Sequence, residues 1–101
     1  PRCADCGTVL KPTVIFFGEM IPYEAMTESG RLAGRADVVL VVGTSAIVYP
    51  AAGIPIQAKQ NNATIIEFDV QPTALTGQVT DIFIQGRAGT TLPKLLEQLE
   101  K

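Results

Sequence analysis

Apolar residues run unbroken from Val38 to Val42 and stop at Gly43-Thr44-Ser45, and a second short apolar pair, Ile47-Val48, leads into Tyr49-Pro50. A continuous β-branched run of this kind predicts a strand buried on both faces, in the middle of a parallel sheet. Upstream, Pro12–Phe17 is a β-rich run ending at Gly18-Glu19. Pro22 then opens a predicted helix from Tyr23 to about Arg35, with Met26, Leu32 and Ala33 on its apolar face and Gly30 and Gly34 weakening it. Downstream, Ala51–Gln60 predicts a second helix that Asn61-Asn62 closes. Pro50 suits its first turn, where a missing N–H costs nothing, and Pro55 should bend it near its start. Thr64–Phe68 reads as the next strand, ending at Asp69, and Gln71–Thr80 as loop. Asp81–Ile84 is a third strand, followed by Gly86-Arg87-Ala88-Gly89. Leu92, Leu95, Leu96 and Leu99 recur at i, i+3, i+4 and i+7, which predicts an amphipathic helix over Thr91–Lys101, capped by Thr90 or Thr91.

Strand, helix, strand, loop, strand, helix is half of a doubly wound α/β domain. Parallel strands are normally covered on both faces and continued sideways, so three of them need a further sheet edge. The chain opens at Pro1-Arg2-Cys3 without a methionine, and we expect an internal piece whose N-terminal part lies elsewhere. If the piece folds by itself, the exposed edge of the 38–42 strand or its neighbour should drive self-association.

Composition narrows the class. At 101 residues, 47% hydrophobic and 18% charged, the chain has the content of a globular core rather than of disorder. A net charge of −2 offers no electrostatic attraction to nucleic acid or an anionic membrane. No apolar run approaches the ~20 residues of a membrane-spanning helix. Cys3 and Cys6 are only three apart, which does not suit a secreted disulfide scaffold, so a reducing cytoplasm is expected.

Chemistry could sit at several points. Cys3-x-x-Cys6-Gly7 has the spacing of half a structural zinc site, and also of a redox pair. The redox form belongs between a strand and a helix, and nothing of the kind precedes Cys3, so half a zinc site is favoured. Two thiols and no histidine leave such a site two ligands short. Gly43, Thr44 and Ser45 end a parallel strand, where ligands of open α/β sheets bind. Asp69 ends the next one, in the manner of an acidic residue that holds ribose hydroxyls, or simply as a solvated strand terminus. Gly86-Arg87-Ala88-Gly89 offers backbone groups at the same crevice edge, or is only a turn. Phe16-Phe17-Gly18-Glu19 is two core aromatics and a turn, or one wall of a site.

Taken in order, Cys-x-x-Cys-Gly, Phe-Phe-Gly-Glu, a buried strand into Gly-Thr-Ser, Val-Tyr-Pro-Ala-Ala, Ile-Ile-Glu-Phe-Asp and Gly-Arg-Ala-Gly before a Leu-rich helix resemble the C-terminal half of the sirtuins, the NAD-dependent protein deacylases. The resemblance spans essentially the whole chain. It implies a remnant of a small zinc module over residues 1–11 and the C-terminal part of a Rossmann-like NAD-binding domain over 12–101. Cys3 and Cys6 would be two of four zinc ligands with a structural role. Gly43, Thr44 and Ser45 would contact the ribose and phosphate part of NAD, Asp69, Val70 and Gln71 the adenosine ribose, and Ala88 the adenine. Ile15, Phe16, Phe17, Gly18 and Glu19 would line one side of an acyl-lysine peptide groove and Val48 and Tyr49 the other, with the peptide added as a strand.

The family's reaction, in which the acyl oxygen attacks the ribose carbon as nicotinamide leaves, needs a histidine base that this chain does not contain. The family's Gly-Ala-Gly-x-Ser phosphate loop, Gln-Asn-x-Asp segment and first cysteine pair are absent from it too. The isolated chain is thus expected to be inactive, with no catalytic residue of its own. Where the family usually has Asn, this chain has Asp69. Its carboxylate can still accept from ribose hydroxyls and should repel a 2′-phosphate, so NAD should be preferred over NADP. The readings to separate are half of a deacylase, a non-catalytic nucleotide-binding or interaction module, and a small thiol protein built on Cys3 and Cys6.

Overall fold

A computed structural model describes all residues from Pro1 to Lys101. Six elements occur in the expected order: α1 (Tyr23–Ala33), β1 (Val38–Val42), α2 (Gly53–Gln60), β2 (Thr64–Asp69), β3 (Ile82–Gln85) and α3 (Ala88–Leu99). The strands form one parallel sheet in the order β1-β2-β3, with Val39 opposite Ile65 and Phe68 opposite Ile84. The fold is therefore α/β, as the pattern predicts.

The sheet's middle, however, is β2 and not β1. Strand β2 has Ile65, Glu67 and Phe68 fully buried, whereas β1 has no fully buried residue and only Val41 is buried. Val38, Leu40 and Val42 are 53%, 46% and 39% exposed, so the expectation of a strand buried on both faces is corrected. The physical reason is that β1 has a neighbour on one side only and a helix layer on one face only. Alternation sends Val39 and Val41 to the face where Ala33, Ala58, Ala63, Ile65 and Leu75 meet. The opposite face of β1 is apolar and bare. The radius of gyration, 17.3 Å, exceeds the ~13 Å of a compact 100-residue domain. All of residues 1–20 are exposed except Cys3, which is half-buried.

Other boundaries move for local reasons. Pro12–Phe17 is not a strand. With no neighbour to pair with, it is held instead by Lys11 and Glu19. Lys11 Nζ donates to the Val14 carbonyl (2.8 Å), lies 3.0 Å from Glu19 Oε2 and sits 5.2 Å from the centre of the Phe16 ring, while the Phe16 N–H donates to Glu19 Oε2 (3.0 Å). Helix α2 begins at Gly53, so Pro55 rather than Pro50 occupies its first turn and Pro50 stands outside, after a cis Tyr49–Pro50 peptide. Leu32 is 55% exposed, so the buried contribution of α1 is Ala33. Helix α3 starts three residues earlier than expected, at Ala88. Gly86, at φ +150°, turns the chain so that the Arg87 carbonyl accepts from the Thr90 and Thr91 N–H groups (2.9 and 3.0 Å), and neither threonine caps it. Its leucines share a face, but Leu96 and Leu99 are exposed.

Candidate functional site

Parallel strands in register bring their carboxyl ends to one edge. Here three turns meet there: Gly43–Ser45 after β1, Asp69–Gln71 after β2 and Gly86–Ala88 after β3. Backbone hydrogen bonds stitch them together. The Gly43 N–H donates to the Phe68 carbonyl (2.9 Å), and the Gly86 N–H donates to the Asp69 carbonyl (2.9 Å). The Gln85 side-chain amide donates to the Val70 carbonyl (3.1 Å). Gly43 adopts φ +60°, which lets β1 turn away at the sheet edge, and a Cβ built there would meet no atom within 4 Å. Thr44 Oγ1 accepts from the Ala46 N–H (3.2 Å), and Ala46 itself is held at φ +53°. A non-glycine residue in that region stores strain of about 1–3 kcal/mol, the kind that collects at ligand turns. Asp69 Oδ1 accepts from the Gln71 N–H (3.3 Å), and its backbone carries the turn.

The sheet edge thus gathers Gly43, Thr44, Ser45, Asp69, Val70, Gln71 and Ala88, all singled out from the sequence. Gly43, Thr44, Ser45, Val70 and Gln71 are exposed, and Asp69 and Ala88 half-buried. An open row of backbone donors, hydroxyls and a carboxylate at strand ends is chemistry for a polyhydroxylated, phosphorylated ligand.

The second predicted group also converges. Ile15, Phe16, Phe17, Gly18 and Glu19 line a cavity of about 190 Å³ together with Val48 and Tyr49, joined by Ile21 and Pro50. Phe17 projects into solvent at 91% exposure and Tyr49 at 66%. A separate apolar cleft of about 330 Å³ runs along β1 to Thr44, Val48 and the start of α2, beside the bare strand edge.

At the N-terminus, Arg2 and Val9 form an antiparallel bridge that closes a knuckle around the two thiols, with the Cys3 N–H donating to the Thr8 carbonyl (2.8 Å) and the Gly7 N–H to the Cys3 carbonyl (2.9 Å). Both cysteines are free. Cys6 Sγ lies 3.2 Å from Thr8 Oγ1. Hydrogen bonds from the Thr8 hydroxyl and backbone, then the Cys3 thiol, hold the Cys6 thiol below its ordinary pKa. A turn that favours thiolate suits a thiophilic cation, but the chain gathers no three metal-ligating side chains, so the knuckle fits half a tetrahedral site.

Two carboxyl groups that tie loops to the sheet were not singled out from sequence. Glu67 is 1% exposed and accepts three threonine hydroxyls, from Thr73, Thr76 and Thr80. Asp81 pairs with Lys59 and accepts the Ile65 N–H (2.8 Å), tying α2, β2 and the entry to β3. The available signal was a lone charge inside Ile-Ile-Glu-Phe, followed by three threonines within one loop.

Comparison with known proteins bears on this arrangement. A family model described as "Sir2 family" matches residues 1–50. The chain is 46% identical, over all 101 of its residues, to the NAD-dependent protein deacylase of Pyrococcus furiosus, of which it covers 40%. A solved Sir2 homologue in complex with NAD superposes on 99% of the chain with a TM-score of 0.93 and 40% identity, the chain covering 39% of it. A Sir2 protein bound to a myristoylated histone peptide superposes on 99% of the chain with a TM-score of 0.90 and 40% identity, the chain covering 42% of it. The chain thus spans about two-fifths of the length of the relatives it matches.

Proposed function

The chain belongs to the Sir2 family, and from that premise we propose that it supplies the adenosine side of the NAD site and part of the acyl-lysine peptide groove of an NAD-dependent protein deacylase. One observation carries the reading: three turns at the carboxyl ends of three registered parallel strands are tied to one another by the Gly43–Phe68 and Gly86–Asp69 hydrogen bonds. In this reading Gly43, Thr44 and Ser45 face the ribose and phosphates, Asp69, Val70 and Gln71 the adenosine ribose, and Ala88 the adenine. Bound NAD brings a ribose carbon whose bond to nicotinamide can be broken. The chain's own part is to bind and orient, since it contains no histidine to act as base. The cavity shared by Ile15–Glu19 and Val48–Tyr49 supports a peptide seated between two extended edges.

The test is calorimetric titration of the full-length protein with NAD, ADP-ribose and NADP. Both NAD and ADP-ribose should bind, and NADP at least about tenfold more weakly than NAD, because the Asp69 carboxylate repels a 2′-phosphate. No binding of either NAD or ADP-ribose by folded protein would refute the assignment, and equal affinity for NADP would refute the role of Asp69.

Three further parts complete the proposal. Residues 1–11 are the edge of a zinc module in which Cys3 and Cys6 supply two thiolates and a second pair outside this chain completes the set. One zinc per full-length protein, lost on replacing Cys6 by Ser, is the expected metal analysis. The protein works in a reducing cytoplasm, where both thiols stay free, and fractionation finding it outside the cell would contradict this. Expressed alone, the 101-residue chain self-associates through the bare apolar face and open edge of β1. A monomer by light scattering at high concentration would refute that.

A further inference from the structure

We propose that Glu67 is a positioning residue for the nucleotide: it orders the β2–β3 connection, and through it the Asp69–Gln71 turn, by gathering three threonine hydroxyls on one buried carboxylate. The inference rests on the nucleotide reading above and deepens it. Strand alternation places Glu67 on the same face as Ile65, so its side chain enters the core where residues 70–81 fold over the sheet. Oε1 accepts the Thr73 hydroxyl, and Oε2 accepts those of Thr76 and Thr80, at 2.7 Å each.

A carboxylate can only accept, so each hydroxyl must turn its proton inward and leave its lone pairs for the backbone. Two of them are used that way. The Leu75 N–H donates to Thr73 Oγ1 (3.2 Å), and the Thr73 N–H donates to Thr76 Oγ1 (2.9 Å). The result is a directed path from loop amide to hydroxyl to carboxylate, repeated twice. Leu75, 2% exposed, pins the same connection into the core.

An apolar side chain at position 67 would hold the strand without the penalty of a buried charge. What only an acceptor can do there is order a connection that contains no helix or strand of its own. That connection begins with the turn assigned to the adenosine ribose. Gln85 and Gly86 hold the beginning of the turn from β3, and Glu67 holds the loop residues beyond it, from Thr73 to Thr80.

The test compares Glu67→Gln, Thr80→Val and the control Ile65→Val in the full-length protein. Ile65 is as buried as Glu67 and lies on the same strand face, but touches none of the hydroxyls' hydrogen bonds. Glu67→Gln should weaken ADP-ribose and NAD about tenfold and raise KM for NAD while leaving kcat and KM for an acetyl-lysine peptide unchanged. Amide exchange at Thr73 and Leu75 should speed up about tenfold or more. Thr80→Val, which removes one hydroxyl of three, should lie between parent and Glu67→Gln, and it carries the test if that variant does not fold. Ile65→Val should lower the unfolding midpoint yet leave nucleotide affinity and both amides as they were. Parental affinity in Glu67→Gln, or an equal loss in Ile65→Val, overturns the positioning role. Should the parent bind neither nucleotide, the nucleotide reading fails first, and unchanged exchange at Thr73 and Leu75 would then show that Glu67 does not order the loop either.

Discussion

Replacing Gly86 by alanine should damage both the fold and the sheet edge assigned to the nucleotide, and the structure separates the two causes. A Cβ at Gly86 would lie 2.8 Å from Thr91 Cγ2, against an ordinary carbon–carbon contact of about 3.5–4.0 Å. The backbone there is at φ +150°, a region left almost entirely to glycine. Forcing a side chain to stay in it costs about 1–3 kcal/mol, and overpacking of this kind about 1–3 kcal/mol more. The sum, about 2–6 kcal/mol, is a large part of the ~5–15 kcal/mol that holds a typical domain. Thr91→Ser removes Cγ2 and keeps the hydroxyl that donates to the Arg87 carbonyl (3.2 Å). A double-mutant cycle of Gly86→Ala with Thr91→Ser, read as urea midpoints of the full-length protein, should therefore recover the steric part and leave the backbone part. Since the Gly86 N–H donates to the Asp69 carbonyl, ADP-ribose affinity should fall in Gly86→Ala and recover partly in the double variant. A Gly86→Ala protein within about 0.5 kcal/mol of the parent would refute the reasoning, as would a clash cost that Thr91→Ser leaves intact.

The Asp81 carboxyl is held below its ordinary pKa, first by the Ile65 N–H and then by Lys59. A depressed folded-state pKa means stability that is present above the unfolded value and lost as pH falls through the folded one, so Asp81 should steepen the acid limb below about pH 4. Urea midpoints between pH 2 and 5 should show a shallower limb in Asp81→Asn, and an unchanged slope would exclude the effect. Phe17→Ala, at a side chain that is 91% exposed, should cost no more than about 0.5 kcal/mol of stability. Its KM for an acetyl-lysine peptide should nonetheless rise about tenfold with KM for NAD unchanged, since burial of an aromatic face by substrate contributes about 1.5–3 kcal/mol; parental peptide kinetics would remove Phe17 from the groove.

Element type and order were legible because they arise from local pattern. The short β-branched runs Val38–Val42 and Thr64–Phe68 and the i, i+3, i+4 leucine spacing of α3 each formed the predicted element. Their arrangement was less legible. Nothing in five consecutive β-branched or leucine residues states whether a strand has neighbours on both sides, so β1 reads as central and stands at the edge. Pro12–Phe17 has the composition of a strand, but β propensity is mostly the fit of side chains to a neighbouring strand, and none adjoins it. Lys11 and Glu19 then decide its shape. The site at the strand ends was legible because parallel register alone carries Gly43, Asp69 and Gly86 to one edge. Glu67 was not, since its burial depends on a loop of later sequence folding back over β2.

That difference also divides the site physically. The edge assigned to adenosine is assembled from contacts internal to this chain: Phe68 with Gly43, Asp69 with Gly86, Val70 with Gln85, and Glu67 with the threonines. It can be preorganised before any ligand or partner arrives, and preorganisation lowers the ordering cost of binding. The side assigned to the peptide is held only by the local contacts of Lys11 and Glu19. Val14 to Phe17 are all exposed, Tyr49 lies two-thirds exposed, and the knuckle of Cys3 and Cys6 holds two thiols where a tetrahedral ion takes four ligands. A chain built this way should recognise the adenosine part of its ligand with its own residues. It should acquire the peptide groove only when the rest of the protein covers β1 and fixes the N-terminal arm.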